Sequence, residues 1–340
     1  MRCLTPDEIL RLEQSGSVAE DWAKVSVSDD FSPQQVLACR FSGRVEIGSG
    51  ATLSDSTICS YRIGSGTVIR NVTALECRKE SSFGEGVNVA AVNENGGRSA
   101  LIYRELTAQI AYLMTMMRNR PKMIERMNAL VEARAKEHIS NMGRVGDNST
   151  VLGARFIRET IIEDNCRVEG VSHLENGTIG SRSYVGIDVR AHNFIIDNDA
   201  YVSGASSLER AFVGEKSVVD NGFTAIDTLM FANCHFENGE AASVFAGPFT
   251  VSHHKSSLLI AGIFSFFNAG SGTNQSNHLF KSGAVHQAVH QRGSKFGSSA
   301  YVMSPAIEGP YTVILGRHTR HHDTQDMPYS YLSRRVDSRY

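Results

Sequence analysis

The chain lacks the features that mark a membrane protein or a nucleic-acid-binding protein. No run of apolar residues approaches the roughly 20 that a helix needs to cross a bilayer. Residues 1–8 have no apolar core of the kind found in signal peptides. The 34 basic and 36 acidic residues leave a formal net charge of only −2, so no electrostatic feature favours nucleic acid or an anionic membrane. We therefore expect a cytoplasmic protein that binds neither.

Paired cysteines and nucleotide-binding loops are also missing. The six cysteines are scattered without the spacing of a disulfide framework or a zinc finger, and Cys166 occupies a position that favours packing. No Gly-rich loop ends in Lys-Ser or Lys-Thr, and no nucleotidyltransferase motif precedes the repeats described below. These absences argue against a bifunctional uridyltransferase.

What the chain does contain is a repeat of constant length in its middle part. Three columns of mostly aliphatic residues recur at one and the same interval: Val145, Ile162, Ile179, Ile196, Val213; then Val151, Val168, Val185, Val202, Val219; then Ile157, Leu174, Ala191, Leu208, Ala225. The position two before the second column is always small. Such fixed-period similarity is typical of a solenoid, in which each coil buries its apolar side chains against its neighbours.

Several short phrases in this repeat point to a particular kind of solenoid. An aliphatic residue followed by Gly and a small residue occurs at 47–49, 63–65 and 179–181. These phrases resemble the hexapeptide repeats of bacterial transferases. The resemblance implies a mainly β protein built as a left-handed parallel β-helix, a three-sided prism that is usually trimeric. The hand comes only from this resemblance, because the general rule for parallel crossovers favours the right-handed form. The whole chain also resembles an uncharacterised bacterial family of such proteins, known only as a domain of unknown function.

The repeat is interrupted, and the interruptions define the predicted organisation. A capping box at Thr5 and Glu8 predicts a short N-terminal helix. Residues 98–142 switch to helical spacing and contain Pro121, which predicts either two helices or one kinked helix, packed on the β-helix or on a neighbouring protomer. The predicted segments are an N-terminal cap at 1–40, a first β-helix block at 41–92, the helical insertion at 98–142, the main β-helix with irregular C-terminal coils at 143–325, and a tail at 326–340.

The candidate site lies in the irregular coils, because eight of the twelve histidines fall between 253 and 322. Within this region the tetrapeptide Ala-Val-His-Gln occurs twice in succession, at 284–287 and 288–291. It is similar to a stretch of sugar-nucleotide acyltransferases, and this similarity implies that His290 or His286 lies in the acyl-donor cleft. The candidate catalytic residues are His290, His286, His254 and His278. The candidate binding residues are Asn274, Asn277, Gln287, Arg292 and Lys295.

The chemistry implied by this resemblance is acyl transfer from a coenzyme A thioester to a sugar or a sugar nucleotide. An imidazole suits the role of general base because its ordinary pKa lies near neutrality. Arg292 and Lys295 would bind phosphate groups of the donor or of a nucleotide sugar. We expect the protein to be a homotrimer with its sites at protomer boundaries.

Other interpretations stay open. Any single histidine in this region can simply be a polar loop or packing residue. A metal site at 318–323 is disfavoured by Arg320 within the cluster, so no metal is expected. The protein can also be a non-catalytic binder of sugar nucleotides, or a scaffold whose helices at 101–139 recruit a partner.

Overall fold

The structure is a computed structural model that describes residues 1–276 and 287–333. The chain forms two compact units. Unit 1 comprises residues 1–86 and 131–205, and unit 2 comprises residues 87–130 and 206–340. Each unit is therefore made of two separate stretches of the chain, and the helical insertion predicted at 98–142 is divided between the units after residue 130.

The secondary structure is mainly β. The described residues contain three α-helices, α1 (Pro6–Gln14), α2 (Ala108–Met116) and α3 (Pro121–Glu137), and two 3-10 helices, Trp22–Lys24 and Pro33–Gln35. The strands are β1 (Arg2–Cys3), β2 (Val18–Ala19), β3 (Val25–Val27), β4 (Val36–Leu37), β5 (Arg40–Ile47), β6 (Thr52–Ser54), β7 (Thr57–Ile63), β8 (Val68–Arg70), β9 (Ala74–Glu76), β10 (Asn88–Val89), β11 (Ala100–Leu101), β12 (Gly143–Val145), β13 (Thr150–Leu152), β14 (Phe156–Ile162), β15 (Arg167–Glu169), β16 (His173–Ile179), β17 (Tyr184–Val185), β18 (Arg190–Ile196), β19 (Tyr201–Val202), β20 (Ser207–Val213), β21 (Val218–Asp220), β22 (Thr224–Met230), β23 (His235–Glu237), β24 (Glu240–Ala242), β25 (Phe245–Ala246), β26 (Val251–Ser252), β27 (Leu258–Ile260), β28 (Gly262–Phe264), β29 (Asn268–Ala269), β30 (Asn274–Ser276), β31 (Ala288–His290), β32 (Lys295–Phe296), β33 (Tyr301–Met303), β34 (Ala306–Glu308), β35 (Val313–Leu315), β36 (Arg317–His318), β37 (Asp323–Thr324) and β38 (Tyr331–Ser333).

Unit 1 confirms the prediction of a parallel β-solenoid. Val145, Ile162, Ile179 and Ile196 are register partners on successive parallel strands, and each is fully buried. The valine column at 151, 168, 185 and 202 is aligned and buried in the same way. β-branched side chains at identical positions of neighbouring coils pack well on a pleated surface, which explains why the repeat folds in this way.

In the earlier block of repeats, predicted at 41–92, strands β5 to β9 belong to the same stack, whereas β10 pairs antiparallel with β11. Ile63 on β7 pairs in register with Val145 on β12, and Ile69 on β8 pairs with Val151 on β13. The chain therefore leaves the column of coils after β9 and resumes it at β12 without loss of register. The small position two before the valine column has a hydrogen-bonding role, because Ser149 Oγ donates to the Glu163 carbonyl (2.8 Å) and accepts from the Cys166 amide (3.0 Å).

The N-terminal helix forms as the sequence predicts. Thr5 Oγ1 accepts from the Glu8 amide, and the Glu8 carboxylate accepts from the Thr5 amide (2.8 Å), so both halves of the capping box are present. The Glu8 carboxylate also pairs with Arg2 at 2.7 Å, and this hydrogen bond is the main reason that the pKa of Glu8 falls to about 2.

Unit 2 is also built from parallel coils, but the chemistry of the inward column that contains Val213 changes along it. Val213, Met230, Ala246 and Phe264 form its apolar part, and the registered strands then place His290, Glu308 and Thr324 at the same inward position. Gln275 likewise occupies an inward position between Leu259 and Val302. The repeat is hard to recognise here in the sequence because polar residues replace aliphatic ones inside the coil.

An outward column of unit 2 is apolar although it does not face the coil interior. It consists of Phe212, Leu229, Phe245, Ile263, Val289 and Ile307. Phe212, Leu229, Phe245 and Ile263 are buried. Helix α2, which ends at Met116 and is separated from α3 by the turn before Pro121, shares a cavity with three residues of this column. This part of the apolar outward face therefore lies opposite α2 of the same unit, across the cavity.

None of the helices in the described ranges is both long enough and apolar enough to cross a membrane.

Candidate functional site

The candidate site is a cavity of about 700 Å³ in unit 2, between α2 and the outward face of the coils. Its size lies in the range of small-molecule sites, which is about 300–1,000 Å³. One wall consists of α2 residues and the other of residues from three successive coils. The lining residues are Ala108, Gln109, Tyr112, Leu113, Phe245, Gly247, Pro248, Ile263, Phe264, Ser265, Phe266, Val289, His290, Gln291 and Arg292.

The floor of the cavity is apolar for a structural reason. Phe245, Ile263 and Val289 are register partners in the outward column described above, and they meet Leu113 and Tyr112 of α2 across the cavity. Burial of such a surface normally requires close contact with another apolar element. Here the two elements leave a gap between them, and a ligand with an apolar part would fit that gap.

At one edge of the cavity, a positively charged side chain packs on an aromatic ring. The Arg292 guanidinium lies 4.0 Å from the centroid of the Phe266 ring, and Phe266 stacks in turn on Phe249 at 4.8 Å. Phe249 and Phe266 have φ values of 59° and 47°, whereas earlier coils of unit 2 place Lys216 and Asn233 at this turn. Tyr311 and Tyr329 have φ values of 59° at the equivalent turn of later coils, so this conformation belongs to the coil geometry. The positive charge of Arg292 is the feature that allows this edge to bind an anionic group.

Behind the cavity wall, inside the coil, lies a group of three titratable side chains. His290 Nδ1 contacts Glu308 Oε2, and the other carboxylate oxygen of Glu308 bonds to His322 Nε2 at 2.7 Å. The side chains of His290 and Glu308 are both fully buried. The His290 ring also stacks on Phe264, with centroids 4.7 Å apart. We call His290, Glu308 and His322 the buried triad.

The electrostatics of the buried triad favour a charged carboxylate. Burial acts to raise the pKa of Glu308, but the two imidazoles outweigh it and lower that pKa to about 2. Burial also acts to lower the pKa of His322, and the contact with Glu308 outweighs it, so that this pKa is raised. Glu308 contacts His290 at Nδ1, and His290 Nε2 is buried like the rest of the side chain. Within residues 1–276 and 287–333, His290 Nε2 has no hydrogen-bond partner.

The structure brings together only some of the residues that the sequence predicts for the site. His290 and Arg292 both line the cavity. His254 is exposed next to His253, with ring centroids 4.3 Å apart, and it is not among the lining residues. Asn274 accepts a hydrogen bond from Ser276 (2.7 Å), Gln287 is half-buried, and Lys295 is exposed on β32. These last three also lie outside the lining of the cavity. The predicted residues His278, His286 and Asn277 lie outside the described residues.

Sequence reasoning did not identify Glu308, Tyr112 or Phe266. Glu308 follows His290 at a distance along the chain close to the repeat length, and this spacing is the signal that could have paired them. The signal was hidden because the preceding step, from Phe264 to His290, is much longer than the repeat. Nothing in the sequence around 108–113 indicates which coil the helix would face.

The histidine cluster near the C terminus lines a second cavity of unit 2, of about 530 Å³. His318 and His322 have ring centroids 5.9 Å apart. His322 Nε2, however, already bonds to Glu308, and Arg317 and Arg320 line the same cavity. Two nearby guanidinium groups and an occupied ligand nitrogen make this cluster a poor match for a metal cation.

Comparison with known proteins gives a family but no activity. The sequence profile of a family described as Domain of unknown function (DUF4954) matches residues 1–57 and 52–340. No curated protein matches the chain. The chemistry of the site must therefore be argued from the geometry.

Proposed function

We propose that this chain, which belongs to the DUF4954 family, is an acyltransferase that moves an acyl group from a coenzyme A thioester to a sugar or a sugar nucleotide. The single observation that carries the proposal is the His290–Glu308 contact at the wall of a mainly apolar cavity. An imidazole whose Nδ1 is held by a carboxylate has a fixed orientation and tautomer, and its Nε2 can act as a base.

The lining of the cavity supports a coenzyme A thioester as the acyl donor. Its apolar floor of Phe245, Ile263 and Val289 suits an acyl chain or the pantetheine arm, and Tyr112 closes the opposite side. Arg292 at the edge suits a phosphate group, because guanidinium groups form strong charge-assisted hydrogen bonds to phosphate. The proposal also includes a left-handed, three-sided coil and a homotrimer, which rest on the hexapeptide-repeat resemblance, and a cytoplasmic location, which rests on the sequence composition.

In the proposed reaction the acceptor hydroxyl attacks the thioester carbonyl carbon. His290 Nε2 accepts the hydroxyl proton as the new carbon–oxygen bond forms. The carbon–sulfur bond then breaks, and the imidazolium returns the proton to the leaving thiolate, so that the products are an ester and free coenzyme A. Glu308 acts as a positioning residue, because its negative charge stabilises the imidazolium that forms.

A second candidate function is binding without turnover. The observation that favours it is the complete burial of the His290 side chain, which lies against Phe264 rather than in the open part of the cavity. In that case the chain binds the same ligand at the same place, and the buried triad only stabilises the coil.

The two candidates are distinguished by assaying the full-length protein with acetyl-coenzyme A and a panel of sugar nucleotides. Thiol release and the mass of the product report transfer, and thermal shifts report binding. We expect Val289→Trp, which fills the cavity, to abolish both signals. We expect Arg292→Ala to raise the donor KM about tenfold or more, since a hydrogen bond to a charged group contributes about 1.5–3 kcal/mol. Lys295→Ala is the matched control, because Lys295 is exposed and lies outside the cavity lining.

The role of His290 is tested by His290→Gln. Loss of a general base lowers kcat by roughly 10²–10⁴. A variant that folds, binds donor normally and retains full transfer would rule out His290 as the base. Thermal stabilisation by ligand with no product from the unmodified protein would support the binding function instead. A monomeric mass in light scattering would contradict the proposed trimer.

A further inference from the structure

Unit 1 carries a cluster of metal-ligand residues far along the chain from the cavity described above. His173 and Glu175 lie on β16, and His192 lies on the next strand of the stack, β18. The strand register places His192 directly opposite Glu175. One possible ligand atom of each of the three residues lies within 4.8 Å of the others.

The distances within this cluster suit a small divalent ion. His173 Nε2 lies 3.2 Å from Glu175 Oε2, and the rings of His173 and His192 are 4.7 Å apart. Zinc binds nitrogen and oxygen ligands at about 2.0–2.2 Å in a tetrahedron, so two of its ligands are separated by about 3.3–3.5 Å. The His173–Glu175 pair already has roughly this separation, and a ligand atom of the half-buried His192 lies within 4.8 Å of a ligand atom of each of the other two residues.

We propose that His173, Glu175 and His192 form a binding site for a divalent transition-metal ion, with Zn²⁺ as the ion that fits best. Two imidazoles and one carboxylate are a ligand set that leaves a fourth position open. Two of the three residues, Glu175 and His192, also line a polar cavity of about 370 Å³, together with Lys79, Ser82 and Asn193. The site goes beyond the proposed acyl transfer, and it departs from the sequence-based expectation that no metal is bound.

The surrounding charges are compatible with such a site. Lys79 Nζ lies 3.3 Å from Glu175 Oε1, so it contacts the oxygen that is not directed at His173 and can hold the carboxylate in place. Arg158 is engaged by Glu76 at 2.7 Å, which reduces its repulsion of a cation.

The same sequence pattern occurs once more in unit 2 and provides a matched control. His235 and Glu237 lie on β23, and His253 follows β26 in the next coil. There, His235 Nε2 bonds directly to Glu237 Oε1 at 2.6 Å, and Glu237 also accepts from Asn221 at 3.0 Å. The rings of His235 and His253 are 5.2 Å apart. In this second arrangement His235 and Glu237 are joined by a direct hydrogen bond, and we expect it to bind no metal.

The test is a titration of the full-length chain, without a histidine tag, after removal of metal by a chelator and dialysis. Calorimetry with Zn²⁺ and absorbance with Co²⁺ give the affinity, the stoichiometry and the coordination geometry. We expect one site and the intense visible bands of tetrahedral Co²⁺. Single variants His173→Ala, His192→Ala and Glu175→Gln should each weaken binding by about 100-fold or more, since loss of even an outer-shell partner costs 10–100-fold.

The variant His235→Ala should leave both affinity and stoichiometry unchanged. Circular dichroism and the thermal midpoint of each metal-free variant show whether it folds, and Glu175→Gln keeps the shape of the side chain. The proposal is overturned if the unmodified chain binds no Zn²⁺ below millimolar concentration. It is also overturned if binding survives in the folded His173 and His192 variants, or if His235→Ala removes the site.

Discussion

The buried triad gives the sharpest test of the interior of unit 2. The substitution Glu308→Gln preserves the shape of the side chain and removes the negative charge that faces His290 and His322. Glu308 is fully buried, so the two imidazoles lose a partner that solvent cannot replace. Removing one partner of a buried ion pair costs about 3–5 kcal/mol. For a unit of roughly 150–250 residues, a loss of about 3 kcal/mol lowers the thermal midpoint by about 6–12 °C.

The pH dependence gives a second signature of the same change. The pKa of Glu308 is lowered, so the stability that its carboxylate contributes to the folded state is fully present above the ordinary carboxyl range. That stability is lost as the pH falls towards 2. The pKa of His322 is raised in the folded state, so the stability that its imidazolium contributes is fully present below about pH 6.5. That stability is lost as the pH rises through the pKa of the folded state. The difference in stability between the unmodified chain and Glu308→Gln should therefore be largest between about pH 5 and 6.5.

The assay is thermal unfolding followed by circular dichroism, or chemical unfolding, from pH 4 to 9. Glu237→Gln is the control, because Glu237 pairs with His235 at 2.6 Å but both side chains are partly exposed. Exposed pairs contribute about 0–1 kcal/mol. If Glu308→Gln costs no more than Glu237→Gln, or if its cost is the same at every pH, then the ionic description of the buried triad is wrong.

Three further predictions concern packing and reactivity. Val185→Asp should prevent soluble folding, because it buries an unpaired carboxylate in a fully enclosed column, and a soluble folded variant would contradict the inward position. Gly177→Ala should cost about 1–3 kcal/mol, since its new Cβ would lie 2.3 Å from the Phe194 ring. Adding Phe194→Leu should recover part of that loss in urea unfolding, and an additive loss would refute the steric explanation. In native thiol labelling, exposed Cys3 should react quickly, whereas Cys234, whose pKa burial raises to about 12, should react only after denaturation.

The parts of the fold that could be predicted from the sequence are those in which one residue type repeats. The valines at 151, 168, 185 and 202 all meet the same requirement, a β-branched side chain inside a coil, so the register is visible without coordinates. The two helices around Pro121 were visible for a similar reason, because their apolar spacing differs from that of the coils.

The site was less predictable because it depends on which coil faces which element. His290 was selected from a resemblance, but its inward position follows only from the pairing of β31 with β34, which places it against Glu308. The opposing α2 wall, with Tyr112, lies far along the chain from β31, the strand that it faces. The His173, Glu175 and His192 cluster was missed for the same reason, because His192 meets Glu175 only through the stacking of coils.

A crystal structure of the protein soaked with a non-hydrolysable coenzyme A thioether tests whether the cavity between α2 and the coils of unit 2 binds an acyl-coenzyme A thioester. We expect the acyl end to lie against Phe245, Ile263 and Val289, with a phosphate group near Arg292. Density for the thioether at any other place, or an empty cavity at a saturating concentration, would contradict the proposed binding.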